Sequence, residues 1–68
     1  SSKKEMTQAL YQIIRNLEQE RGYADYSEIM ARAQKELGIR PQQINEMLEL
    51  LNRTGLIIHS QQGGYKTI

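Results

Sequence analysis

The sequence predicts an α+β, mostly helical fold: a three-helix bundle followed by a C-terminal two-stranded β-hairpin. Three observations point there. Apolar residues recur at helical spacing in three successive segments up to about residue 53. Glycine or proline punctuates each junction between them. Beyond Gly55 the helical period stops, and a short apolar, β-branched run faces a second one across a turn rich in Gln and Gly.

The first helix is expected over about residues 4–21. Met6, Leu10, Ile13, Ile14 and Leu17 form its apolar stripe, with Gln8, Gln12, Arg15 and Gln19 on the opposite side. Gly22 ends it, and Arg21 in the last turn complements the helix dipole. Gly22-Tyr23-Ala24 then forms a short extended connection. Asp25 and Glu28 make a capping-box-like start for a second helix over about 26–37, in which the Asp25 carboxylate accepts from the Glu28 amide. Ile29, Met30, Ala33 and Leu37 supply its stripe, and Gly38 supplies the left-handed residue that stops it.

Pro41 suits a first helical position, where a missing N–H breaks no helical bond. Ile39 and Ile44 have the spacing of a hydrophobic staple across that start. The third helix is therefore expected over about 41–53, with Ile44, Met47, Leu48 and Leu51 buried and Gly55 at its end. So short a link turns the second and third helices sharply against each other, as in a helix-turn-helix. Leu56–Ser60 and Tyr65–Ile68 then form a hairpin around Gln61-Gln62-Gly63-Gly64. Three helices followed by a ribbon is the order of a winged helix-turn-helix. Residues 5–68 make this single domain, and Ser1-Ser2-Lys3-Lys4 reads as a polar linker stub.

Composition narrows the function. The 68 residues carry 9 Lys+Arg against 8 Asp+Glu, a formal net charge of +1, with no cysteine and one histidine. A disulfide framework, a thiolate zinc site and a thiol nucleophile are thereby excluded. No apolar run exceeds three residues, the most aliphatic being Leu56-Ile57-Ile58, far short of a membrane span. There is no P-loop, no dinucleotide-binding glycine turn and no plausible Ser-His-Asp order. No catalytic residue, metal or cofactor is assigned, and the chain is not expected to be an enzyme by itself.

One more specific likeness lies in the string Gly38-Ile39, Ile44, Leu48, Leu51, Gly55, Ile57 and Gly64-Tyr65. Over about residues 6–68 it resembles the C-terminal winged-helix domain of archaeal minichromosome maintenance (MCM) replicative helicases. In that family a glycine and an aromatic or aliphatic residue open the last short strand, as Gly64-Tyr65 does here. The wing departs from the pattern, with His59-Ser60-Gln61-Gln62 where an acidic residue and a proline are often found. The resemblance implies a non-catalytic, monomeric domain tethered to an ATP-dependent hexameric ring. Its partners would be that ring or other replication proteins, in the cytoplasm at the nucleoid or in a eukaryotic nucleus, and not a membrane.

A winged helix by default sets its third helix in the major groove and its wing on the adjacent backbone. Candidate DNA contacts are Arg40, Gln42, Gln43, Asn45 and Arg53 on the third helix, and Gln61, Gln62 and Lys66 in the wing. Amide side chains such as Gln42, Gln43 and Asn45 can read adenine, although they are equally at home on any solvated helix. The outward face of the third helix carries Gln42, Glu46, Glu49 and Arg53, two carboxylates against one guanidinium. Lys66 is the only full positive charge beyond residue 55. Nonspecific affinity scales with the phosphates neutralised, so weak, salt-sensitive DNA binding is expected.

The tyrosines offer stacking surfaces for unpaired bases. Tyr11, off the core stripe, is expected to be the most exposed, whereas Tyr23 and Tyr65 are expected to cover the join between helices and ribbon. Tyr11 and Leu50 are the apolar residues left outside the core and are the candidate protein contacts. The function so predicted is an accessory, regulatory domain of a replication helicase, acting through protein contacts. The alternative is the DNA-binding domain of a transcription regulator, which calls for a basic reader face and an added dimerisation helix.

Overall fold

In the computed structural model, which describes residues 3–68, α1 spans Lys3–Arg21, α2 Tyr26–Leu37 and α3 Pro41–Arg53, followed by β1 (Ile57–His59) and β2 (Tyr65–Thr67). The fold is therefore three helices and an antiparallel two-stranded ribbon, as the residue pattern predicts. α1 begins inside the stretch expected to be a linker. Nothing at Lys3 or Lys4 breaks a helix, and the Thr7 hydroxyl bonds back to the Lys3 carbonyl at 2.9 Å. Ser1 and Ser2 lie outside the described residues.

The helix ends follow the capping chemistry. Asp25 accepts from the backbone N–H groups of Ser27 and Glu28, satisfying two donors that the first turn of α2 leaves open. The Ser27 hydroxyl, foremost, holds the Asp25 carboxyl below its ordinary pKa. Glu28 does not complete the capping box and pairs instead with Arg21 at 3.2 Å. Gly38 adopts φ 65° and closes α2. The residue before a proline is pushed to extended backbone, and Arg40, at φ −83° and ψ 156°, leads into α3 in that way.

The core lies where the three helices meet the inner face of the ribbon. Leu10, Ile14, Ile29, Ile44, Leu48 and Ile57 are its largest fully buried side chains. Ile39 and Ile44 are both buried in this core, as a hydrophobic staple requires. Each aliphatic group so enclosed contributes roughly 1.5–3 kcal/mol.

Two contacts fix the ribbon, and neither is evident from the residue pattern. The Ala24 N–H donates to the Tyr65 carbonyl at 2.7 Å and the Tyr65 N–H donates to the Ala24 carbonyl at 2.8 Å. The extended connection thus forms a one-residue bridge on the side of β2 away from β1. A side chain at Gly64, where φ is +86°, would put its Cβ 2.1 Å from the Ala24 carbonyl oxygen. Only glycine fits there. On α1, Glu18 accepts from the Thr67 N–H at 2.7 Å and the Thr67 hydroxyl at 2.6 Å. The first helix thereby grips the last strand.

Candidate functional site

Arg40, Gln42, Gln43 and Asn45 all lie exposed in the first turns of α3. The Gln43 carbonyl oxygen accepts from the Arg40 backbone N–H at 3.1 Å, capping its own helix. Asn45 accepts from the Tyr26 hydroxyl at 2.6 Å, a bond that joins α2 to α3. Gln43 and Asn45 thus each hold one lone pair of the carbonyl oxygen, the atom that accepts in a bidentate adenine contact, in a bond within the domain, and their orientation is set by it. Arg53, at the opposite end of α3, stands about 20 Å from Arg40 along the axis and pairs with Glu49 at 3.5 Å. In the wing, Gln62 accepts from the Ser60 hydroxyl at 2.8 Å and so shapes the turn.

Arg40, Gln42, Gln61 and Lys66 remain exposed without a side-chain hydrogen bond or ion pair among the described residues. Two cations widely spaced in sequence, Arg40 and Lys66, are all that the candidate DNA surface offers unpaired. Arg21 and Arg32 are likewise engaged, Arg32 with Glu20 and Glu36 at 3.9 and 3.8 Å. Exposed pairs of this kind add little stability, but they cancel charge where a phosphate backbone would need it.

Tyr11 and Leu50 are brought together. They line one groove of about 640 Å³ between the N-terminal half of α1 and the end of α3, with Leu51 and Leu56 beside them. Tyr11 is half-buried against the core rather than the most exposed tyrosine. That description belongs to Tyr26, at 41 % exposure, because Tyr11 packs against the core at the groove wall while Tyr26 opens α2 toward solvent. Tyr23 and Tyr65 are half-buried, as expected of residues at the join. Burial pushes the Tyr65 phenol up, and its ring lies 4.8 Å from that of His59.

The apolar surface does not stop at Leu56. The register pairs Ile58 with Lys66 and Ile57 with Thr67, and the Ile68 N–H donates to the Leu56 carbonyl at 3.2 Å. Residues two apart on a strand, and residues paired across it, share a face. Leu56, Ile58, Lys66 and Ile68 therefore occupy the outer face of the ribbon, opposite buried Ile57. Leu56 and Ile58 are each 47 % exposed and Ile68 74 %. Ile58 and Ile68 are additions to the candidate residues. The period-two alternation around buried Ile57 was the available signal, and it needed the register to be decisive.

Among the described residues no group of His, Asp and Glu is placed to hold a metal ion. No described helix is long and apolar enough to cross a membrane. Comparisons with protein families, characterised proteins and solved structures return no match.

Proposed function

We propose that this chain is an accessory winged-helix domain that acts through protein contacts. Following the resemblance of its glycine and aliphatic pattern, we assign it to the ATPase ring of an MCM-like replicative helicase. The observation that carries the reading is the contrast in exposed chemistry. The α3 face that a DNA reader would use is polar, nearly neutral and largely bonded to itself, whereas the exposed aliphatic side chains converge on the α1–α3 groove and the outer ribbon. Exposed apolar clusters of this kind are the usual mark of a protein interface.

The test is a ring assay combined with a DNA titration. The domain is fused to an archaeal MCM ATPase ring from which its own C-terminal domain has been removed. A change of at least about twofold in ATPase or unwinding rate is expected, reversed by Leu50→Asp. In parallel, amide-resolved NMR with short single- and double-stranded DNA should show shifts at about 50 mM salt that vanish at about 200 mM. Arg40→Ala and Lys66→Ala should each lower the salt slope by about one unit. An indifferent ring, or DNA shifts that persist at the higher salt, would overturn the assignment.

A further inference from the structure

The α1–α3 groove is not chemically neutral. Lys3, Thr7 and Tyr11 follow one another at intervals of four along α1 and form one wall, with Lys4 beside them. Leu50, Leu51 and Leu56 form the other wall and the floor. The Lys3–Tyr11 wall runs about 12 Å, a little over two helical turns. None of the chain's eight carboxylates lines it. Neither lysine enters an ion pair among the described residues, although most of the arginines do. Glu46 shares a neighbouring recess with Lys3, one turn before Leu50 on the same α1-facing side of α3. The groove thus combines an aliphatic floor with two ammonium groups at one end that form no ion pair among the described residues, in a chain whose net charge is only +1.

We propose that this groove docks an acidic amphipathic helix of a partner protein. Apolar residues at i, i+3 or i+4 and i+7 would lie on Leu50, Leu51, Leu56 and Tyr11, and carboxylates would meet Lys3 and Lys4. The inference deepens the protein-contact reading and rests on it, adding the chemistry of the partner. Two alternatives fit less well. A second copy of the chain meeting groove to groove about a two-fold axis would match the aliphatic floors but bring no groove-lining carboxylate to either pair of lysines. A small amphiphile would fill the groove but leave Ile58 and Ile68 uncovered on the adjoining ribbon face, whereas a helix running past Leu56 covers them. Helix-in-groove recognition uses this i, i+3, i+4, i+7 pattern of anchors.

The probe is a pair of designed 16-residue helical peptides with identical leucine positions, one carrying glutamates and the other lysines at the flanking positions. Each is titrated into the 68-residue chain and followed by amide-resolved NMR. The acidic peptide should shift Thr7, Tyr11, Leu50, Thr54, Leu56 and Ile58 and bind at least tenfold tighter than the lysine peptide at about 50 mM salt. The double variant Lys3→Glu/Lys4→Glu should invert that preference, and Leu50→Asp should weaken both peptides with the dispersion of the remaining amides unchanged. Equal affinity for the two peptides, shifts elsewhere, or no binding would overturn the proposal. So would a concentration-dependent dimer that competes with the peptide, or dodecanoate saturating the groove while leaving Ile58 unshifted. Failure here with a responsive ring in the fusion assay removes the acidic-helix partner alone. Acidic-peptide binding with an indifferent ring removes the helicase assignment and keeps the groove.

Discussion

The outward face of α3 and the strip formed by the α1–α3 groove and outer ribbon are built from opposite materials. On α3, Gln43 and Asn45 spend their carbonyl oxygens on a helix cap and an interhelical bond, and Arg53 turns to Glu49 one helical turn earlier. Along the strip, Leu50, Leu56, Ile58 and Ile68 keep 38–74 % of their surface in water. A polar face of this kind gains little from a partner, because each new hydrogen bond replaces one already made within the face or to water. An apolar face left in water gains from almost any matching cover. The helix that family habit would cast as the reader is the less needy of the two surfaces.

The sharpest way to break this contrast is to remove the platform under the strip. Gly64→Ala introduces a Cβ against the Ala24 carbonyl at a positive φ. It should destabilise the domain by roughly 2–4 kcal/mol, read as a lowered urea midpoint. Amides at the start of α3 should hold their positions while those of Ile58 and Lys66 move. An unchanged midpoint would show that the Ala24–Tyr65 bridge does not organise the ribbon.

A smaller effect is expected at Glu18. The Thr67 hydroxyl is the main cause holding its carboxyl below the ordinary range. Partial burial opposes this, and the Thr67 N–H and the Lys66 and Arg15 charges add to it. Because the native value is the lower one, the contribution is fully present above the ordinary carboxylate range. It is lost as pH falls through that range toward the native value. Glu18→Gln should cost about 1 kcal/mol at neutral pH and flatten the acid limb of stability, measured by thermal unfolding between about pH 3 and 7. Asp25, whose carboxyl is lowered by the Ser27 hydroxyl, keeps part of that limb in the variant.

The smallest effect sharpens the comparison from the α3 side. Tyr26→Phe frees the Asn45 acceptor at a loss of about 0.5 kcal/mol, the low end for an exposed hydrogen bond. If the α3 face is not a reader, DNA affinity stays within about twofold of the parent; a clear gain would show that the Tyr26 hydroxyl had been masking one.

The same contrast explains what the sequence could reveal. The helices were legible because Asp25, Gly38 and Pro41 act on their own neighbours, and local chemistry leaves a local signature. A helical wheel also placed Tyr11 and Leu50 off the core stripes, though on two separate helices with nothing to say that they meet. The Asn45–Tyr26 bond and the Gln62–Ser60 contact were not legible, because a wheel assigns a face to a residue and not a partner. Ala24–Tyr65 and Glu18–Thr67 were least visible of all. They join residues more than forty positions apart, and none of the four types signals such a bond. Gly64 shows the limit well: a turn glycine by its neighbours, and a sheet-clearance glycine once Ala24 is found beside it.

The grip of α1 on β2 also has a kinetic meaning. Glu18 and Thr67 are 49 residues apart, so their contact closes most of the chain, whereas each helix forms from neighbours within a few positions. Long-range contacts are the slow ones, and closure entropy must be met before they add stability. The ribbon is therefore expected to dock after the helices have assembled. Loss of the Glu18 contact should then speed unfolding more than it slows folding, and the Thr67 amide should exchange its hydrogen sooner than that of Leu48. The outer ribbon, and with it half of the apolar strip, is a surface with a lifetime of its own, shorter than that of the helices that carry it.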